Sequence, residues 1–180
     1  GMDTKSIEIT ECPRDAMQGL QEFIPTNLKA AYLNSLLKVG FSRLDFGSFV
    51  SPKAIPQMRD TAEVLESLDT SGPTELLAII ANARGALEAS RFPAIRYLGY
   101  PFSISETFQL RNSNKGIAAS FDEVRAVCEI AERHGKKLLI YISMAFGNPY
   151  GDDWNSAIAL DWIGRLRDEG ISHFALADTV

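Results

Sequence analysis

Arg14 and Asp15 are neighbouring charged residues at a point where a strand must end. Residues 7–10 alternate β-branched and polar side chains, which is the period of a β-strand, and Pro13 cannot donate a hydrogen bond to a sheet. The strand therefore ends beside a guanidinium and a carboxylate. A carboxylate can bind a divalent cation, and the guanidinium beside it can polarise a substrate carbonyl. The alternative is a pair of solvated loop residues, since Arg and Asp are common on protein surfaces.

Polar side chains also follow the other predicted strands, at the same end of each strand. In chain order they are Asp45 and Ser48, Asn82, Ser103 and Glu106, Ser143 and Asn148, and Asp178 and Thr179. Helix N-caps favour the same residue types, so a solvated rim is one explanation. Asp45 argues against it, because this carboxylate lies inside the apolar segment LDFGSFV, where its burial is costly unless it is paired or ligated. We predict that Arg14 is its partner.

The elements that position these residues alternate between strands and helices. Strand-like segments begin near residues 7, 43, 75, 95, 137 and 172, with helical periodicity between them. Thr26 or Asn27, Asn82 and Ser120 are the predicted helix starts, the last as part of a capping box. Strict alternation of strand and helix at this spacing predicts right-handed crossovers and a parallel sheet of the α/β class.

Two architectures build such a sheet, the doubly wound fold and the TIM (β/α) barrel. A doubly wound fold usually carries a glycine-rich first turn that binds a nucleotide, but here that turn reads ECPRDAMQG, and no P-loop motif occurs in the chain. The sequence therefore favours a barrel. The polar residues cluster where a barrel keeps its active site, just beyond the carboxyl ends of the strands.

The composition is that of a soluble domain that acts on small molecules. The 180 residues are 46% hydrophobic and 23% charged, which predicts a single domain over residues 1–180. A net charge of −5 and the lack of a basic run argue against nucleic-acid and membrane partners. Cys12 and Cys128 form no C-x-x-C motif, and the first residues carry no apolar leader, so we expect a reduced cytoplasmic setting.

Five segments in order along the chain resemble the hydroxymethylglutaryl-CoA lyase branch of the aldolase-type metal-dependent lyases, which are TIM barrels. They are ECPRDAMQ, GFSRLDFGSFVSPKAIPQM, SISETFQLRN, YISMAFGNPY and ALADT. The resemblance extends over almost the whole chain. It implies cleavage of 3-hydroxy-3-methylglutaryl-CoA or a similar acyl-CoA to acetyl-CoA and a keto acid. It also implies an Mg²⁺ or Mn²⁺ cofactor. A homo-oligomer is expected for a different reason, because an arc of six strands leaves both edge strands unpaired.

The resemblance assigns roles to individual residues of this chain. Asp15 would bind the metal, and Arg14 would polarise the acyl carbonyl and stabilise the enolate formed when the carbon–carbon bond breaks. Asp45 would be the second catalytic residue, at a position where the family usually has Glu. The substrate would be bound by polar residues at the strand ends, namely Gln18, Ser48, Ser103, Glu106, Asp178 and Thr179.

The chain also departs from the family pattern. The family's H-x-H metal ligands, a following Asn and a glycine-rich loop with a catalytic cysteine are missing from these residues. His134 is predicted at a helix carboxyl terminus and His173 at the opposite end of the sixth strand from the site. We therefore expect that the chain supplies about six β/α units, lacks the last two, and is inactive alone.

Two alternatives to the lyase remain. One is a related condensing or aldol enzyme, similar to homocitrate or isopropylmalate synthases, although the segment SFVSPK favours the lyase branch. The other is a non-catalytic barrel remnant that binds an acyl-CoA or a partner protein.

Overall fold

The computed structural model describes residues 10–103, 117–145 and 156–179. Their elements follow in chain order: β1 (Thr10–Glu11), α1 (Pro13–Gln18), α2 (Thr26–Leu37), β2 (Arg43–Ser48), a 3₁₀ turn (Pro56–Met58), α3 (Thr61–Glu66), β3 (Glu75–Ile79), α4 (Ala83–Ser90), β4 (Ile95–Ser103), α5 (Ile117–Arg133), β5 (Lys137–Ala145), α6 (Ser156–Asp168) and β6 (His173–Thr179).

The six strands form one parallel sheet in the order of the sequence, β1 to β6. The sheet curls into a half-barrel, with helices between successive strands. Because neighbouring strands are parallel, all carboxyl ends lie along one edge. The predicted α/β class and the parallel sheet are therefore confirmed.

The two faces of the sheet carry different apolar clusters. Sheet residues such as Leu44, Phe46 and Leu98 pack with helix residues such as Leu33 and Val124 in the larger cluster. The opposite face, here called the inner face, has a smaller cluster without helix residues: Leu77, Ile79, Tyr97 and Leu139, with Val50, Tyr141 and Ala175 packed against them. Side chains on alternate strand positions therefore reach either the helices or the barrel interior.

Three local expectations about the ends of elements were wrong. Thr26 does not cap α2, because its hydroxyl donates to Asp60 at 2.7 Å and the helix has no side-chain cap. Ser120 lies inside α5, which begins at Ile117, so there is no capping box at that point. The sixth strand, for which the sequence predicts residues 172–177, continues through Thr179. The cap by Asn82 is confirmed, since its side-chain oxygen accepts the Gly85 amide proton at 2.9 Å.

None of the helices in the described ranges is both long enough and apolar enough to cross a membrane.

Candidate active site

Arg14 and Asp45 form a buried ion pair just beyond the carboxyl end of β1, on the inner face of the sheet. Nε of Arg14 donates to both carboxylate oxygens of Asp45, at 3.0 and 2.9 Å. The Asp45 side chain is 1% exposed and the Arg14 side chain 13%. The predicted pairing of these two residues is confirmed.

The local fold explains why these side chains meet. On β2, Asp45 lies between Leu44 and Phe46, which both pack toward the helices, so strand alternation puts Asp45 on the inner face. Glu11 on β1 pairs with Leu44, and α1 starts two residues later with Pro13 at its first position. Pro is favoured there because the first helical N–H needs no partner within the helix. The local sequence pattern does not predict α1, the short helix that carries Arg14 beside β2.

The other nitrogens of Arg14 contact two residues of its own helix. Nη1 donates to Oε1 of Gln18 at 2.6 Å, and Nη2 lies 2.9 Å from Oδ1 of Asp15. An arginine has five N–H donors, so these contacts and the one to Asp45 use three of them. The Asp15 side chain is 70% exposed, which leaves its second oxygen open to a ligand.

Burial shapes the electrostatics of this cluster. It raises the pKa of Asp45 to about 7, although Arg14 acts against the shift. Burial lowers the pKa of Arg14, but the negative charges of Asp45 and Asp15 raise it by more. The pKa of Arg14 therefore lies above its ordinary value. Arg14 is therefore a fixed positive charge beside a carboxylate whose pKa is raised by burial. Burial, followed by the charge of Asp45, raises the pKa of the Cys12 thiol to about 11, so Cys12 is protonated at neutral pH.

Ser48 is the last residue of β2, at the carboxyl ends of the strands, but it does not contact the Arg14–Asp45 pair in the hydrogen bonds described. Its hydroxyl accepts the Val50 amide proton at 3.2 Å, and its own amide donates to the Thr61 hydroxyl at 3.2 Å. It lines a cavity of about 160 Å³ together with Arg59 and Arg84. Arg14, Asp15 and Asp45 are not among the described residues that line this cavity.

The remaining predicted substrate-binding residues lie on later elements. Ser103 is the last residue of β4, and Asp178 and Thr179 end β6, so the backbone puts all three at the carboxyl edge. Glu106 lies outside the described residues. Both histidines lie where the sequence predicts them. His173 begins β6, at the amino ends of the strands, and His134 directly follows the end of α5.

Tyr141 is a residue of the inner face that the sequence analysis missed. It lies between Ile140 and Ile142, which pack toward the helices, and contacts the inner-face cluster. Its hydroxyl is buried and has no hydrogen-bond partner among the described residues. Tyrosine is common in β-strands, so its residue type alone does not indicate a site.

Asp15 is a described residue that is suited to bind a divalent cation. Within residues 10–103, 117–145 and 156–179, no three His, Cys, Asp or Glu side chains lie close enough together to form a ligand set. Asp15 offers an exposed carboxylate of the hard oxygen type that Mg²⁺ prefers, whereas the carboxylate of Asp45 is buried against Arg14. The donor chemistry at Asp15 therefore fits, as one ligand of a larger set.

The known proteins that are similar in sequence to this chain belong to one family. A hydroxymethylglutaryl-CoA lyase of Bacillus subtilis is 32% identical over 184 residues, covering 98% of this chain and 59% of the relative. A 3-hydroxy-3-isohexenylglutaryl-CoA/hydroxymethylglutaryl-CoA lyase of Pseudomonas aeruginosa is 30% identical over 178 residues, with the same two coverages. No protein-family model matches the chain. The chain thus spans a little more than half the length of these curated relatives.

Solved structures agree with the sequence comparison. The B. subtilis HMG-CoA lyase superposes with a TM-score of 0.84 at 32% identity, over 97% of this chain and 59% of that one. An HMG-CoA lyase of Acinetobacter baumannii, in complex with coenzyme A and 3-methylmalate, gives a TM-score of 0.82 at 31% identity, over 95% and 56%. The predicted TIM-barrel architecture is thereby confirmed. By sequence and by fold, the chain is a homologue of the hydroxymethylglutaryl-CoA lyases.

Proposed function

We propose that this protein is a metal-dependent carbon–carbon lyase that cleaves 3-hydroxy-3-methylglutaryl-CoA, or a closely similar thioester, to acetyl-CoA and a keto acid. One observation carries the proposal: the Arg14–Asp45 pair lies just beyond the carboxyl end of β1, next to the exposed carboxylate of Asp15. Active sites of barrel enzymes lie beyond the carboxyl ends of the strands. The likeness to hydroxymethylglutaryl-CoA lyases over 98% of the chain supports the same reaction.

The reaction breaks the bond between the α-carbon of the thioester and the carbon that bears the tertiary hydroxyl. The hydroxyl loses its proton and becomes the ketone of the keto acid, while the electron pair of the broken bond forms the enolate of acetyl-CoA. A proton then adds to the α-carbon. Negative charge therefore grows on the thioester oxygen, and a fixed cation beside that oxygen lowers the barrier.

Arg14 is suited to hold the thioester oxygen. Its contacts to Asp45, Gln18 and Asp15 leave two of its N–H groups for a ligand. Asp45 fixes the orientation of the guanidinium from the buried side.

Asp15 would bind the divalent cation, Mg²⁺ or Mn²⁺, through its exposed carboxylate. When bound, such an ion acts as a Lewis acid toward substrate oxygens. Mg²⁺ takes six ligands, so Asp15 would share the ion with substrate oxygens, waters and further protein groups.

The substrate we propose is an acyl-CoA, in line with the coenzyme A and 3-methylmalate bound by the A. baumannii homologue. The residues that the sequence predicts to bind the substrate would contact its acyl and pantetheine portions: Gln18, Ser48, Ser103, Glu106, Asp178 and Thr179.

The test is a lyase assay on the 180-residue chain and on the full product of its gene, with hydroxymethylglutaryl-CoA and Mg²⁺ or Mn²⁺. We expect the full product to be active and Arg14→Gln to lower kcat by about a hundredfold or more, since a charge-stabilising donor is lost. Asp15→Ala should raise the metal concentration needed for activity. Arg96→Gln is the matched control, because Arg96 is half exposed and its contacts, to Glu75 at 3.6 Å and to the carbonyl oxygen of Gly135 at 2.8 Å, lie outside the proposed site.

Two results would count against this function. One is a full gene product that is inactive on hydroxymethylglutaryl-CoA and related thioesters. The other is an active product in which Arg14→Gln behaves like Arg96→Gln.

A further inference from the structure

Tyr141 lies in the middle of β5 on the inner face of the sheet. Its strand neighbours are Pro101 on β4 and Ala175 on β6. It belongs to the side of the sheet that also carries Asp45, whereas Ile140 and Ile142 pack with the helices. The phenol is therefore inside the half-barrel.

A glycine on β4 makes room for the ring. A Cβ atom on Gly99 would lie 2.9 Å from Cε2 of Tyr141, 2.8 Å from Cδ1 of Ile79 and 3.0 Å from Cδ2 of Leu77. Any larger residue at position 99 would therefore displace the side chains of Tyr141, Ile79 and Leu77. The Tyr141 ring consequently extends over β4 toward β3, which in turn pairs Leu77 with Asp45 on β2.

The hydroxyl at the end of this ring has no hydrogen bond within the described residues, although it is buried. Buried polar groups are almost always paired, and each unpaired one calls for an explanation such as a missing ligand or water. Burial raises the pKa of Tyr141, and the charge of Asp45 raises it further, so the hydroxyl is protonated at neutral pH and is able to donate. The positive charges of Arg43 and Arg14 act in the opposite direction and lower this pKa.

We propose that the Tyr141 hydroxyl is a substrate-binding group that donates a hydrogen bond to an oxygen of the acyl portion held by Arg14. This inference rests on the proposed lyase function and names a contact within the same site. Leu77, Ile79 and Leu139 make the rest of this face apolar. Such a surface suits a short acyl chain with few oxygens, and not the phosphates of coenzyme A.

Tyr141→Phe tests the inference because it removes only the oxygen. We expect hydroxymethylglutaryl-CoA to bind about threefold to tenfold more weakly by calorimetry, which is the range for one net hydrogen bond. Binding of coenzyme A without an acyl group should not change. The melting temperature of the ligand-free protein should stay the same or rise, because an unpaired buried hydroxyl is removed.

Tyr100→Phe is the matched control on the helix side of the sheet. The Tyr100 hydroxyl donates to Oε1 of Glu123 at 2.7 Å, so its loss should lower the melting temperature and leave binding of the thioester unchanged. A merely structural role for Tyr141 would make the two variants behave alike.

The outcomes separate this inference from the proposed function. If the unmodified full gene product binds the thioester and Tyr141→Phe binds it equally well, the Tyr141 inference is wrong and the lyase function stands. A weaker affinity of Tyr141→Phe for both the thioester and free coenzyme A would also overturn it. If the unmodified protein binds no thioester, the proposed function fails, and this inference fails with it.

Discussion

Asp45 is the residue whose environment departs furthest from that of an ordinary aspartate. It is 1% exposed, and both its oxygens accept from a single nitrogen of Arg14. A buried ion pair contributes little compared with a well-packed apolar pair, but removing one partner leaves the other charge buried alone. At the residue scale, the site therefore depends on keeping both partners together.

Asp45→Ala is expected to destabilise the chain by about 3 kcal/mol, because it leaves the Arg14 guanidinium without its buried carboxylate. Adding Arg14→Met in the same protein should recover part of this loss, since neither charge then remains. The measurement is the free energy of unfolding from urea titrations of the two single variants and the double variant. Strict additivity of the two single effects would mean that the pair is not coupled.

At the scale of elements, close backbone approaches hold the helices in their places against the sheet. α4 begins directly after β3, and a Cβ on Gly85 in its first turn would lie 2.7 Å from the carbonyl oxygen of Phe49. Asn82 caps the same turn. A buried ion pair joins two other helices. Nζ of Lys29 on α2 donates to Oδ1 of Asp60, the residue before α3, at 2.6 Å.

Two helical glycines are expected to respond in opposite ways to the same substitution. Gly85→Ala should destabilise the chain by about 1 to 3 kcal/mol, because the carbonyl of Phe49 is backbone and cannot move aside easily. Gly164→Ala on α6 meets no atom within 4 Å and should stabilise the chain by up to about 1 kcal/mol through helix propensity. Thermal or urea unfolding of both variants is the measurement, and a stabilising Gly85→Ala would contradict the close packing of α4.

At the scale of the whole molecule, the sheet is an open half-barrel. In the part of the chain that the structure describes, β6 pairs with β5 over seven residues and has no strand on its other side. The other edge strand of the sheet is β1, of which two residues are described. Unpaired strand edges are templates for pairing with another chain.

The 180-residue chain by itself is therefore expected to self-associate through the β6 edge. Light scattering after size-exclusion chromatography should give an average mass that rises with protein concentration. Ala175→Lys puts a charge on the inner face of the edge strand and should reduce the association. A monomer that persists at every concentration would contradict this expectation.

Local sequence patterns determined most of the architecture. The strands were predicted from alternating or continuous apolar segments of strand length and most helices from period-3.6 patterns, and their strict alternation predicted a parallel sheet. The pairing of Arg14 with Asp45 was also predictable, although the residues are 31 positions apart, because parallel strands bring their carboxyl ends to one edge and a carboxylate in an apolar strand needs a partner.

The tertiary structure alone decided which side chains occupy the inner face and how α1 presents its charges. Strands of a parallel sheet are apolar on both faces, so the sequence of β5 does not say whether Tyr141 or its isoleucine neighbours point inward. Short helices such as α1 form because of what they pack against, here through the buried Met17, and not through intrinsic propensity. The position of the Tyr141 hydroxyl depends on the space above Gly99, which exists only once three strands are in register.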